Sequence, residues 1–250
     1  MGLGLLGRGV NVAKFLVECG AVLTVTDLKD AHALAPSLAR LKKYPNIRYV
    51  LGEHRLEDFR NADMVIKAAG VPLDSPFIAE ARRRGVPVKM DASLFAELAP
   101  QGVTLVGVTG TRGKSTTTQL IYEILQHVFA RSRSDEAIQS RSNQHWIASR
   151  HASLAASASG ARKDERAELR PRVFLAGNVR GVATLPLLAK VRPGDIVVLE
   201  LDSWQLQGFG EAKVSPHVAV FTTFFDDHLN YYRGNREQYL EDKAQLFLNQ

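Results

Sequence analysis

Short apolar runs alternate with stretches of helical spacing along the first part of the chain. The runs contain β-branched side chains and lie at residues 23–27, 47–51, 64–68 and 86–90. Runs of this length are typical of strands, and the stretches between them are long enough for helices. Strands that alternate with helices predict an α/β domain with a parallel sheet, to which we assign residues 1–98.

The same alternation starts again after Pro100 and predicts a second α/β domain at residues 99–250. Its apolar runs lie at residues 103–108, 173–176, 196–199 and 218–222. The last three run directly into polar groups, which are Gly177-Asn178, Glu200 and Asp226-Asp227-His228. Because open parallel sheets bind ligands outside the carboxyl ends of their strands, we expect these groups to face one crevice.

A glycine-rich turn, Gly110 to Gly113, follows the first strand of this second domain and leads into Lys114 and Ser115. A phosphate-binding loop has this order: a strand, a glycine turn, the pair Lys-Ser and then a helix. Its backbone N–H groups and the N-terminus of its helix attract phosphate. Lys114 would bind the terminal phosphates and the Ser115 hydroxyl a magnesium ion. The general pattern places its first glycine where this chain has Val108, so a strand-to-helix turn without a ligand is the alternative.

Another glycine turn, Gly2-Leu-Gly-Leu-Leu-Gly7, opens the chain, and Asp27 ends the strand after it. In dinucleotide-binding folds, an acid about twenty residues beyond the glycines binds ribose hydroxyls. The sequence begins at Met1, inside the turn, so we expect an unfilled slot where a first strand should lie. This pattern alone would favour a nicotinamide enzyme, but the phosphate loop in the next domain argues against an oxidoreductase.

Composition narrows the class of protein. The chain has 250 residues, of which 45% are apolar and 23% charged, as in soluble globular proteins. It contains no apolar run of membrane-spanning length, no export signal and one cysteine, Cys19, which excludes a disulfide framework. We therefore expect a cytoplasmic protein without a membrane partner.

The net charge of +6 is concentrated rather than spread over the chain, since residues 131–172 hold nine Arg and Lys against five Asp and Glu. Residues 130–172 are rich in Ser, Ala and Arg with little periodicity, which predicts a disordered or loosely helical insertion. A basic arm for an acidic partner is the alternative. No aromatic-lined basic face accompanies the charge, so we expect no nucleic-acid partner.

Four side chains are predicted to share the crevice of the second sheet: Lys114, Asn178, Glu200 and His228. Oxygen and imidazole ligands beside a nucleotide phosphate suit magnesium or manganese. The alternatives are a solvated glutamate at a strand end and an Asp-Asp-His helix cap.

Lys243 lies on the predicted apolar stripe of the last helix, four residues from both Tyr239 and Phe247 and beside Leu240 and Ala244. Such a lysine either extends its ammonium group to water or stays partly desolvated. In the second case its pKa falls and the neutral amine becomes chemically useful.

Several of these motifs resemble those of the Mur ligases of peptidoglycan synthesis. Thr109-Gly-Thr-Arg-Gly-Lys-Ser-Thr116 is similar to their ATP loop, which implies ATP contacts from Gly110, Thr111, Arg112, Gly113, Lys114, Ser115 and Thr116. By the same resemblance, Asn178 meets the substrate carboxylate, and Ser115 and Glu200 hold a first magnesium ion. His228 and Lys243 would hold a second one, with Lys243 at the position of the family's carbamylated lysine.

Within the family, the first domain is most similar to the branch that adds D-glutamate to UDP-N-acetylmuramoyl-L-alanine. The resemblance implies that Leu5, Leu6, Asp27 and Gly70 contact the uridine diphosphate end of that substrate. We separately expect the protein to be a monomer. Another Mur-type ligase, a folylpolyglutamate synthase-like enzyme and a non-catalytic nucleotide-binding fragment are the alternatives. A third, amino-acid-binding domain of the family has no counterpart in residues 1–250.

Three positions depart from the family's pattern. Arg112 replaces the usual Asn of the ATP loop, and Asp202 and Asn230 replace a usual Ser and Asp beside the metal motifs. Arg112 adds a cation near the phosphates, and the other two predict a changed orientation of the metal ligands.

Overall fold

The structure is a computed structural model that describes residues 1–130 and 170–250. Almost all of the predicted insertion at residues 130–172 therefore lies outside the described residues. Within them, no helix is long and apolar enough to cross a membrane.

The first part of the chain alternates helices and strands as predicted. In chain order its elements are α1 (Arg8–Glu18), β1 (Thr24–Asp27), α2 (Ala35–Leu41), β2 (Arg48–Leu51), α3 (Leu56–Arg60), β3 (Val65–Lys67), α4 (Pro76–Arg83), β4 (Val88–Met90) and α5 (Asp91–Leu98). Strands β1 and β2 pair in parallel, as do β3 and β4. The α/β prediction for this part is confirmed.

Met1 and Gly2 lie between these two strand pairs. The Met1 amino group donates to Ile66 O at 2.9 Å, Ala68 N donates to Met1 O at 2.9 Å, and Gly2 N donates to Thr26 O at 2.8 Å. Among the described residues, β1 and β3 are not paired with each other.

The second part contains one four-stranded parallel sheet in the order β6-β7-β5-β8. Its elements are β5 (Thr104–Thr109), α6 (residues 114–130), β6 (Val173–Gly177), a 3₁₀-helix (Leu185–Ala189), β7 (Ile196–Glu200), α7 (Ser203–Ala212), β8 (Val218–Phe221) and α8 (Arg236–Ala244). All four strands run in one direction, so their carboxyl ends, and the polar groups that follow them, share one edge.

One apolar cluster joins the two parts. Val12, Ala92 and Phe95 from the first part pack in the same buried cluster as Leu199 and Phe209 from the second. Helices α5 and α7 pack against each other there, and the 3₁₀-helix packs against both α1 and α5. Burial of these side chains stabilises the contact between the two parts of the chain.

Candidate active site

The turn after β5 packs tightly against the chain that follows β8. Thr111 N donates to Thr223 O at 2.7 Å, and Arg112 N donates to the Thr223 hydroxyl at 2.9 Å. Gly110 has a φ of 142°, and a Cβ there would overlap the Thr222 hydroxyl. Glycine is required at this position by both its backbone angle and the close approach.

Two lysines meet on one carbonyl of this turn. Lys114 Nζ donates to Gly110 O at 2.9 Å and to Thr111 O at 3.0 Å, and Lys243 Nζ also donates to Gly110 O at 2.9 Å. Helix α6 begins at Lys114, so the sequence prediction of a strand, a glycine turn and a helix is confirmed in its geometry. The turn therefore brings two lysine amino groups together beside the N-terminus of α6.

Lys243 is buried, with 1% of its surface exposed, so it does not extend to water. Burial, followed by the charge of Lys114, lowers its pKa to about 8. The predicted apolar stripe around it is wrong in part, because α8 ends at Ala244 and both Leu240 and Phe247 are 43% exposed. The lysine is enclosed mainly by Tyr239, whose ring lies 4.7 Å from Nζ, and by the glycine turn.

Asn178 follows β6 and is fixed by a residue that the sequence analysis does not single out. Arg8 Nη2 donates to Asn178 Oδ1 at 3.0 Å and to Gly177 O at 3.1 Å, and its Nε donates to Val182 O at 3.3 Å. The sequence does contain one indication of this role. Arg8 is a cation in the first turn of a helix, where it is unfavourable next to the positive end of the helix dipole, so a contact elsewhere is expected to hold it there.

Asp91 also holds the loop that carries Asn178. Its carboxylate accepts from Thr184 N at 2.8 Å and from Leu185 N at 2.7 Å. Burial raises the pKa of this carboxyl, and the two backbone N–H groups and Arg8 oppose the shift. Asp91 and Arg8 both lie within residues 1–98, so the first part of the chain holds a loop of the second part.

Glu200 is the last residue of β7, and His228 follows β8 at the same edge of the sheet. Glu200 is buried, and Asn178 N donates to its backbone oxygen at 2.6 Å. His228 has a left-handed φ of 53°, and its ring packs against Trp204 with 5.0 Å between ring centroids and 42° between ring planes. Within residues 1–130 and 170–250, no three His, Cys, Asp or Glu side chains are close enough to hold a metal ion together. The two metal sites remain predictions.

Most of the predicted uridine contacts open onto one cavity of about 1550 Å³. Leu5, Leu6 and Gly70 line it, and so does Asn178 from the second domain. The two leucines are adjacent and are 49% and 67% exposed, which leaves their side chains accessible to a ligand.

Asp27 has a structural role in this turn. It is buried, and its two carboxylate oxygens accept from Gly4 N and Lys29 N, each at 2.9 Å. The carboxylate therefore fixes the glycine turn. A ribose hydroxyl, as predicted, would have to donate to the lone pairs of this carboxylate that the two backbone N–H groups leave unused.

Asp202, one of the departures from the family's pattern, is likewise structural: it caps α7 by a reciprocal pair of hydrogen bonds with Gln205.

Comparison with known proteins agrees with this geometry. The family model of the Mur ligase MurD-like N-terminal domain matches residues 1–90, and that of the Mur ligase middle domain matches residues 176–250. Curated relatives named UDP-N-acetylmuramoylalanine–D-glutamate ligase include those of Roseiflexus sp. (strain RS-1), 36% identical over 250 residues, and Borreliella burgdorferi (strain ZS7), 34% identical over 251 residues.

These two relatives align with the whole chain, but the chain spans only 44% of their length. A solved pseudomurein peptide ligase type C from Methanothermus fervidus matches 95% of this chain and 40% of that chain at 18% identity. Its TM-score of 0.33 is too low to bear on the site. From its two domain matches and its full-length alignment with these relatives, the chain belongs to the Mur ligase family.

Proposed function

We propose that the chain carries the UDP-substrate site and the ATP loop of a ligase that joins D-glutamate to UDP-N-acetylmuramoyl-L-alanine. The observation that carries the proposal is the alignment of the whole chain, at 36% identity, with a relative of that name. The geometry supports it, because Asn178 lies between the cavity that Leu5 and Leu6 line and the edge of the sheet that carries the glycine turn.

The reaction would use ATP to activate the substrate carboxylate. A carboxylate oxygen attacks the γ-phosphorus of ATP, ADP leaves, and an acyl phosphate forms. The amine of D-glutamate then attacks the acyl carbon, loses a proton, and inorganic phosphate leaves. Phosphoryl transfer depends on positioning and on neutralisation of charge, which here would fall to Lys114 and the N-terminus of α6.

Asn178 would orient the substrate carboxylate for this attack. Its side-chain oxygen accepts from Arg8, so its amide nitrogen is directed away from that contact and is free to donate. Arg8 thus acts through Asn178 as a positioning residue. The buried Asp91 keeps the rest of the loop in place.

The residues present fit a magnesium ion of the kind that binds nucleotide phosphates. Glu200 is a buried carboxylate at the same edge as the Ser115 hydroxyl, and these two would hold the ion. When bound, magnesium neutralises the charge that develops on the phosphate oxygens. His228 and a carbamylated Lys243 would hold a second ion.

Carbamylation of Lys243 requires a neutral amine that attacks carbon dioxide, forming an N–C bond and releasing a proton. The burial of Lys243 beside Lys114 favours the neutral form. We expect a carbamate carbon signal in ¹³C NMR when the protein is kept in ¹³C-bicarbonate, and we expect Lys243→Ala to lose it. An unchanged signal in that variant would show that the carbamate is not on Lys243.

We further propose that the protein acts as a monomer in the cytoplasm.

The nucleotide site is tested by ATP binding to the chain itself. Lys114→Ala should lower the affinity for magnesium ATP by roughly tenfold or more, since a charge-assisted hydrogen bond contributes about 1.5–3 kcal/mol. Lys190→Ala, which removes an exposed lysine before β7, is the matched control and should leave the affinity unchanged. Isothermal titration calorimetry gives both values, and equal affinities would reject the phosphate site.

The activity is tested in a chain extended to the length of the curated relatives. Phosphate release from ATP with UDP-N-acetylmuramoyl-L-alanine should depend on D-glutamate and should be lost in Glu200→Ala. Release with a different amino acid would point to another Mur-type ligase. Binding of both nucleotides without release would favour a non-catalytic nucleotide-binding protein.

A further inference from the structure

Arg180 lies in a tight turn within the loop that carries Asn178. Val182 N donates to Val179 O at 3.2 Å, so Arg180 and Gly181 are the central residues of this turn. Gly181 has a left-handed φ of 75°, which glycine adopts without strain. Arg180 is exposed, so its long side chain extends from a turn whose backbone conformation is defined.

Side chains of α1 hold the backbone of this turn. Arg8 Nε donates to Val182 O at 3.3 Å, and Asn11 Nδ2 donates to Gly181 O at 3.1 Å. Neither bond uses the guanidinium group of Arg180. Because the backbone is already ordered, the entropy that is lost when Arg180 binds a ligand is limited to its own side chain.

The turn lies beside the residues that the sequence analysis assigns to uridine diphosphate. Arg180 lines the same cavity as Leu5, Leu6 and Gly70. A Cβ at Gly181 would be 3.6 Å from Leu6 O, so this turn and the glycine turn approach each other closely. An arginine of the second part of the chain is therefore adjacent to the predicted substrate contacts of the first part.

A second arginine, Arg40 of α2, is linked to the same turn through Asn11. Arg40 Nη2 donates to Asn11 Oδ1 at 3.1 Å, while the Nδ2 atom of that asparagine donates to Gly181 O. Arg40 also lies against the glycine turn, because a Cβ at Gly7 would be 2.7 Å from its Nη1. Arg40 and Arg180 thus belong to one hydrogen-bonded unit at the end of the glycine turn.

The charge of this unit is not neutralised by the part of the chain that the structure describes. There, no carboxylate forms an ion pair with Arg40 or Arg180. Arg48, Arg60 and Arg84, by contrast, each pair with a carboxylate. A guanidinium group binds phosphate oxygens through parallel hydrogen bonds, so a ligand with adjacent phosphate groups matches a pair of unneutralised arginines.

We propose that Arg180 and Arg40 bind the diphosphate of the UDP-linked substrate, so that each part of the chain contributes one cation to the recognition of this group. The inference rests on the proposed function, which supplies a substrate with a diphosphate between uridine and the sugar. Arg180 is then a specificity-determining residue, because a ligand with the same base and ribose but without phosphate loses its contact.

Titration of the chain with UDP and with uridine, which differ by the whole diphosphate, tests this role. Arg180→Ala should bind UDP roughly tenfold more weakly than the parent, the effect of losing a charge-assisted hydrogen bond, and should bind uridine as the parent does. Arg40→Ala should also weaken UDP binding and leave uridine binding unchanged. Chemical shifts of the protein followed by NMR give the dissociation constants, including weak ones.

Salt distinguishes a charge contact from a change in the shape of the cavity. An increase from about 50 mM to about 500 mM NaCl should weaken UDP binding to the parent more than to Arg180→Ala, because ions screen exposed charges. Arg180→Lys keeps the charge but not the fork, so it should retain the salt dependence with intermediate affinity. Arg84→Ala removes an exposed arginine that does not line the cavity, and it should bind UDP as the parent does.

Parental affinity for UDP in either alanine variant would overturn the proposal, as would an equal loss of affinity for UDP and uridine. A fall in the affinity of Arg180→Ala for magnesium ATP, with UDP binding retained, would assign the arginine to the other nucleotide and also overturn it. A parent chain that binds neither UDP nor uridine would reject the UDP-substrate site of the proposed function, and this inference with it.

Discussion

Lys67 is a fully buried cation that the candidate site does not use. Its Nζ donates to Val71 O at 2.8 Å and to Ala69 O at 3.4 Å, and thereby holds the loop that contains Gly70. Burial lowers its pKa to about 8. The unfolded chain, in which this lysine keeps its usual pKa of 10.5, binds more protons than the folded chain between about pH 8 and pH 10.5. Stability contributed by this residue therefore rises with pH across that window.

We expect Lys67→Met to remove that pH dependence. The rise in the free energy of unfolding between pH 8 and pH 10.5 should be smaller in the variant than in the parent by on the order of 3 kcal/mol. Urea unfolding at both pH values measures the difference, and Lys190→Met controls for the loss of an exposed lysine. A rise as large as that of the parent would show that Lys67 is not desolvated.

Single residues also set the limit of what the sequence predicts about the site. Lys114, Asn178, Glu200 and His228 each follow a strand, so the strand pattern alone places them at one edge. Arg8 and Asp91 could not be found in this way, because their partners lie 170 and 93 residues away along the chain. Their roles depend on how the two domains pack, and no local pattern encodes that packing.

At the scale of elements, the sequence predicts the strands well because each has a continuous apolar run and a turn at its end. The observed strands agree with the predicted runs to within two residues at either end. The last helix is less well predicted, because its buried face contains Tyr239, Asp242 and Lys243 and so lacks a clear apolar stripe. A prediction based on the spacing of apolar residues fails where the buried residues of a helix are polar.

The junction of β6 and β7 gives a prediction at this scale. Gly177 has a φ of 86°, and a Cβ there would overlap the Glu200 carbonyl oxygen and lie 2.8 Å from Glu200 N. Gly177→Ala should lower the free energy of unfolding by about 3 kcal/mol or more, because the clash adds to the cost of a left-handed alanine.

Gly181→Ala is the matched control, since Gly181 has a φ of 75° and a Cβ there would be no closer than 3.6 Å to Leu6 O. It should lower the free energy of unfolding by only about 1–2 kcal/mol. Equal effects of the two substitutions in urea unfolding would contradict the close approach of β6 and β7.

At the scale of the whole molecule, the two predicted domains share a buried core. Phe95 is fully buried in the cluster that also contains Val12 from the first part and Leu199 from the second. The sequence predicts both domains but not this contact, because the apolar faces of α1 and α5 do not indicate which partner covers them. Cores that are shared in this way favour cooperative unfolding.

We expect Phe95→Ala to destabilise both parts together, by about 3–5 kcal/mol. Native-state hydrogen exchange read by mass spectrometry should show β1 and β7 losing protection by the same factor. Loss of protection in one part alone would mean that the shared cluster does not couple them. Leu98→Ala, at a residue that is 57% exposed at the end of α5, should leave both unchanged.

Arg8 and Asp91 hold the Asn178 loop in place, and this has a consequence for chimeras in which the first part of one protein is joined to the second part of another. Under the proposed function, a first part taken from another Mur ligase would bring its own glycine turn but would leave this loop without its two supports. Such a chimera would bind ATP and the UDP precursor separately and still fail to align them. An exchange of first parts among members of the family should therefore transplant or restore residues 8 and 91 together with the loop that they hold.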